Sequence, residues 1–156
     1  MQTFLTDIEF KQSARNLDRA RLGSQIYESI HILASLLKVN DKLVTPKRDV
    51  SNHPASQLWV GYERELGAYI YTHIEEWINR GYKCDINLRN FHMVTKGMER
   101  GIYVRPMWIT KEVIETHRNC LYRKKPDYYP QSWCGDREMR YDWENYRESY
   151  KNTKVS

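Results

Sequence analysis

The sequence has no CxxC pair, and its three cysteines, Cys84, Cys120 and Cys134, are widely separated and odd in number. That argues against a disulfide framework and against a zinc finger or ribbon, and it makes a reducing, cytoplasmic compartment the default. No metal and no cofactor is expected. There is no uninterrupted apolar run of membrane-spanning length, and no charged N-terminal region followed by an apolar one. Neither a spanning helix nor a signal peptide is expected. Internal repeats and low-complexity tracts are missing as well. Phenylalanine is scarce, with three Phe against twelve Tyr and five Trp. Most rings therefore carry a polar handle, which suits the edge of a core or stacking on bases. What remains is a chain of 156 residues, enough for one domain with a real core and thin for two. Basic residues outnumber acidic ones by 25 to 20, a net charge of +5. So modest an excess matters only where it clusters; clustered, it favours a polyanion, nucleic acid ahead of an anionic membrane.

The stretch that organises the chain is LDRARLGSQIYESIHILASLL, from Leu17 to Leu37. Leu22, Ile26, Ile30, Leu33 and Leu37 recur at the spacing of an apolar helix face. Asp18, Arg21, Gln25 and Glu28 form a polar stripe beside it, within roughly 80° of one another at 3.6 residues per turn. From spacing alone this stripe reads either as a solvated flank with ion pairs or as a row of working groups. Gly23 falls inside the pattern, where it costs about 1 kcal/mol relative to Ala unless something must approach the backbone closely.

Phe4, Leu5, Ile8 and Phe10 supply enough apolar surface to dock the N-terminus. Thr6 and Glu9 have capping-box spacing, so a short helix running toward Arg15 is expected. Lys11, Arg15, Arg19 and Arg21 then gather as a solvated face or a phosphate-binding rim. Residues 39–52 read as a basic loop. Pro54 opens a second long helix with Leu58, Tyr62, Leu66, Tyr69, Ile70, Ile74, Trp77 and Ile78 as its buried stripe and Gly81 as its stop. His53 is either a cap-region residue or a residue aimed into a cleft. Between Cys84 and Val104 the pattern weakens, which suggests turns and at most a short helix. A third helix spans 109–122 with Ile109, Val113, Ile114, His117 and Leu121 inward. It runs into RNCLYRKKPDYY, where charge and stacking rings interleave as on nucleic-acid surfaces. The tail from about 136 to 156 is a polar extension, with Tyr141, Trp143, Tyr146 and Tyr150 available to pack a final helix.

Five phrases in one order, MQTFL, SARNLDRARLGSQIYESIHIL, NHPASQLWVGYE, EEWINRGY and HRNCLYRKKPDYY, resemble the pyrimidine dimer DNA glycosylase family. They are most similar to its divergent bacterial and phage branch. The resemblance implies an all-α fold, a compact single-domain helical bundle with three main helices and long connecting loops over residues 1–156. It implies a protein that binds double-stranded DNA bearing a damaged or modified base, extrudes a nucleotide and cleaves its glycosidic bond; a monomer is the simplest expectation. The family nucleophile is the α-amine of the first residue, which attacks the sugar C1′ and forms an imine that supports strand cleavage by β-elimination. As a class, α-amines titrate at about 7.7–8.0, so a neutral fraction exists at physiological pH.

Alignment back from Leu5 puts Met1 at the family's processed first residue, and the bulk of Gln2 discourages removal of Met1. The family's carboxylate follows an Arg directly, whereas this chain has Arg21-Leu22. Glu28 is then the first choice for the carboxylate and Asp18 the second, both on the stripe with Arg21. Arg15, Arg19 and Arg21 would clamp phosphates, and Gln2, Gln25, Asn52 and His53 would meet the sugar or the extruded base. His117, Arg118, Arg123, Lys124 and Tyr128 would grip the backbone. Two other readings stay open: a DNA-binding module without chemistry, and an enzyme acting on a hypermodified base.

Overall fold

A computed structural model describes residues 1–45, 48–98, 101 and 103–135. The described residues form helices and turns without a strand: α1 Phe10–Asn16, α2 Arg19–Leu36, α3 Pro54–Gln57, α4 Glu63–Asn79, α5 Asp85–Thr95 and α6 Lys111–Lys124, with 3₁₀ turns at Asn40–Lys42 and Gln131–Trp133. The all-helical class read from the sequence is therefore correct, and α2, α4 and α6 are its three longest members. The extension expected at about 136–156 lies outside the described residues.

Helix α2 forms where the apolar spacing predicts it. Asp18 caps its start by accepting a hydrogen bond from Arg21 N–H. Leu22, Ile26, Ile30 and Leu33 are buried. The helix closes with Lys38 in the left-handed region at φ 58° and Val39 N–H donating back to Ala34 C=O at 2.8 Å. Gly23 is explained by close approach: a Cβ there would stand 3.2 Å from the ring of Trp77 on α4. Leu37, just past the other end of α2, lines a cleft with Tyr62 at the start of α4. The two long helices therefore run in opposite directions, packed over Leu22, Ile26, Leu66 and Ile70.

Four expectations need correction. The capping box at Thr6 does not form: α1 starts at Phe10 with Glu9 at its cap position, and Thr6 N–H instead donates to the Ser13 hydroxyl at 2.9 Å. The second long helix is two. Pro54 does open α3, but the chain leaves helix at Leu58 and passes through Gly61 at φ 84° before α4 begins. The weak pattern after Cys84 still makes an 11-residue helix, α5, because packing against α2 compensates for a poor stripe in which only Asn90 and Val94 are buried. Ile8 and Ile78, assigned to the interior, are exposed. Gly81, at φ 88°, does end α4, and the inward face of α6 is as expected.

Candidate active site

Residues 2–6 belong to no helix, yet all five are buried. Buried backbone without a ladder needs side-chain partners, and four helices and the α3–α4 link supply them. Gln25 of α2 donates through Nε2 to Gln2 C=O and accepts at Oε1 from Phe4 N–H, both at 2.8 Å. Tyr69 of α4 donates its hydroxyl toward Phe4 C=O and Gln25 Oε1, each at 2.8 Å. Leu5 N–H donates to His117 Nδ1 at 2.9 Å. Arg118 Nε donates to Thr6 C=O at 2.7 Å. Trp59 Nε1 donates to the Thr3 hydroxyl at 3.0 Å, and α1 contributes Ser13. Each net hydrogen bond is worth about 1 kcal/mol, but an orphaned group costs more, so the segment is held in a single register. Only Met1 emerges, 39% exposed.

His117 works in the neutral form. Burial pushes its pKa down to about 3. Its Nδ1 accepts from Leu5 N–H, and its Nε2 lies 3.0 Å from Gln2 Nε2. Gln2, Gln25, His117 and Arg118, which sequence reasoning set against DNA, thus bind the chain's own N-terminal segment. Arg118 also pairs with Asp7 at 3.7 Å and lies over the Trp133 ring.

The polar stripe of α2 divides in two. Asp18 is buried, caps α2, receives the Tyr129 hydroxyl and sits 3.5 Å from Lys125 Nζ. Burial alone would raise its pKa; the Tyr129 hydroxyl, the Arg21 N–H and Lys125 outweigh burial and leave it lowered. Burial, with the bond to Asp18, drives the Tyr129 hydroxyl well up. Asp18 therefore ties the end of α6 to the start of α2. Glu28, half-buried, stands nearly three turns further along α2. Its charge acts on His53 and Tyr69, and the amine of Met1 also acts on His53. His53 feels burial first, then the amine, both lowering its pKa, while Glu28 opposes them. Met1, Glu28 and His53 thus share one electrostatic neighbourhood. His53 also accepts from Ala55 N–H at Nδ1, 3.1 Å, so it is a cap residue and a site neighbour at once. Asn52 beside it is exposed.

Cations flank this opening. Arg21 and Lys124 lie over the ring of buried Phe4, 5.3 and 5.6 Å from its centroid. Arg15 and Arg19 are exposed at the α1–α2 junction. Arg123 reaches Gly135 C=O at 3.3 Å, and exposed Tyr128 carries Lys125 Nζ 5.2 Å above its ring. Sequence reasoning missed Thr3, Phe4, Trp59 and Tyr69 as site builders. Their partners lie across the fold, and an irregular segment has no periodicity to reveal them.

Among the described residues, no cluster of His, Cys, Asp or Glu is arranged to hold a metal ion, and no helix is long and apolar enough to cross a membrane. No curated protein and no solved structure matches the chain. A family model, described as pyrimidine dimer DNA glycosylase, matches residues 1–90, the part that carries the N-terminal segment, its Gln25 and Tyr69 anchors, Glu28 and His53. Matched over more than half its length, the chain belongs to the pyrimidine dimer DNA glycosylase family, a family of DNA-repair enzymes.

Proposed function

We propose that the chain cleaves the N-glycosidic bond of a damaged pyrimidine in duplex DNA, with pyrimidine dimers as the first substrate, and then cleaves the strand. The α-amine of Met1 attacks C1′ as the bond from C1′ to the base breaks and the base departs with a proton; the C1′–O4′ bond then opens, O4′ takes the proton that the amine gives up, and C1′ is left as a protonated imine. Loss of the C2′ proton then expels the 3′ phosphate oxygen. The carboxylate of Glu28 stabilises positive charge at C1′ and moves protons around the imine. Arg15, Arg21 and Lys124 bind phosphates near the lesion, Tyr128 and Arg123 extend that grip, and Asn52 and His53 meet the sugar or the extruded base. Extrusion costs a few kcal/mol, least where a lesion has already weakened stacking.

One observation carries this reading: the segment 2–6 is locked by four helices so that of residues 1–6 only Met1 reaches solvent, and its amine, like Glu28, acts electrostatically on His53. An amine so positioned approaches C1′ without a further ordering cost. The test is borohydride trapping on ultraviolet-irradiated and on abasic-site duplexes, with mass mapping of the attached residue. An adduct at the N-terminal amine on both substrates is expected. Normal duplex binding without any adduct would sink the imine mechanism. It would favour the DNA-binding module, a reading that draws on Leu22: the residue after Arg21 is fully buried core, so no carboxylate stands at the family's usual place.

A further inference from the structure

Tyr82 and Lys83, in the turn after α4, take no part in the chemistry above, yet they are built onto the start of α2. Trp77 Nε1 donates to Lys83 C=O at 2.8 Å, and its ring packs on Tyr82 with centroids 4.7 Å apart. The same indole lies against Gly23. On Tyr82 rests the Arg19 guanidinium, 4.7 Å from the ring centroid. Trp77, Tyr82 and Arg19 thus form three layers that pin the turn to the first turn of α2. They hold an exposed guanidinium on a ring, and Lys83, next to Tyr82 in the same turn, is exposed. The nearby carboxylates are engaged: Asp18 with Tyr129 and Lys125, and Glu76 with Arg80 at 2.9 Å. Asp85 sits in the first turn of α5, where its charge serves that helix's N-terminal dipole. The positive end of the α2 dipole adds to the local potential.

We propose that Arg19, positioned by Tyr82, and Lys83 form a second contact to the DNA backbone, binding phosphates that flank the lesion. Arg19 and Arg21 are two residues apart on one helix, about 200° around its axis. Arg21 and Lys124 lie over Phe4 on the N-terminal-segment side, and Arg19 and Lys83 lie on the α4 side. The start of α2 would then be straddled by two pairs of cations, a footprint wider than one nucleotide. This assignment rests on the duplex-DNA reading above.

The experiment measures binding of the full chain to a short duplex carrying a reduced abasic site, by fluorescence anisotropy across a potassium chloride series. Lys83→Gln and Arg19→Gln should each make the slope of log K against log salt shallower by about 1. Tyr82→Ala should weaken binding about two- to fivefold, with Tyr82→Phe restoring it because the ring face is kept. Lys111→Gln, a control at the start of α6, should leave the slope unchanged. Wild-type slopes in both Lys83→Gln and Arg19→Gln would overturn the second contact while leaving the DNA reading intact. A wild-type chain with no salt-dependent duplex binding would overturn both.

Discussion

Replacing Gln25 by Leu tests the link between anchoring and reaction most directly. The substitution keeps volume and helix propensity but removes the amide that donates to Gln2 C=O and accepts from Phe4 N–H, both at 2.8 Å. Tyr69 still reaches Phe4 C=O, so two backbone groups are orphaned in a site where Gln25 itself is 1% exposed. At about 1–3 kcal/mol for each buried unsatisfied group, the native state should lose about 2–6 kcal/mol. Domains of this size have about 5–15 kcal/mol in total, so the segment should release locally before the whole fold gives way. Urea denaturation should show a lower midpoint, hydrogen exchange should show the Phe4 and Leu5 amides losing protection, and borohydride trapping should fall with them. A loss below about 0.5 kcal/mol, with those amides still protected, would refute the claim that Gln25 holds the segment.

Other outcomes follow from the same structure. Glu28→Gln should lower turnover about 10²–10⁴-fold while duplex affinity holds, as expected for a proton-transfer group; equal turnover would remove Glu28 from the mechanism. Asp18→Ala should instead cost roughly 1–3 kcal/mol of stability, seen as a lower melting temperature, with trapped adduct still formed by the folded fraction. Stability should fall on acidification. Burial holds His73 at about 4 and His117 at about 3, below the 6.5 of an unfolded chain, so the unfolded state binds more protons in between. The contribution is complete above pH 6.5 and is lost as pH drops toward 4 and then 3, on the order of 3 kcal/mol from His73 and somewhat more from His117. Denaturation midpoints that match at pH 7 and pH 4.5 would contradict this. Gly23→Leu should cost about 1–3 kcal/mol, because the new side chain must displace the Trp77 ring; a wild-type melting temperature would mean the α2–α4 contact is looser than 3.2 Å implies.

Much of the architecture is legible in residue order because helices are local. The steps of three and four from Leu22 to Leu33 and from Val113 to Leu121 each describe one face of one helix, and both faces are buried. Where reading failed, a local signal was overruled by something distant or by one backbone angle. Gly61 breaks an otherwise continuous apolar stripe, and α5 forms on a weak pattern because α2 is there to pack against. Thr6 and Glu9 have capping-box spacing, but Ser13 claims Thr6 first.

The candidate site divides along the same line. By itself the sequence determined which groups stand on one stripe of α2, that basic residues gather near its start, and that the phrases up to residue 90 belong to a DNA-repair family. Only the tertiary structure decided what each group does. Asp18 and Glu28 are indistinguishable by spacing, yet one is closed off by Tyr129 and Lys125 from 107 and more residues away, while the other shares a neighbourhood with Met1 and His53. Gln25 and His117 turn inward to hold the N-terminal segment across separations of 21 to 115 residues. The physical reason is that helical periodicity is set by 3.6 residues per turn, whereas a hydrogen bond is satisfied by whatever donor or acceptor folding brings within about 3 Å.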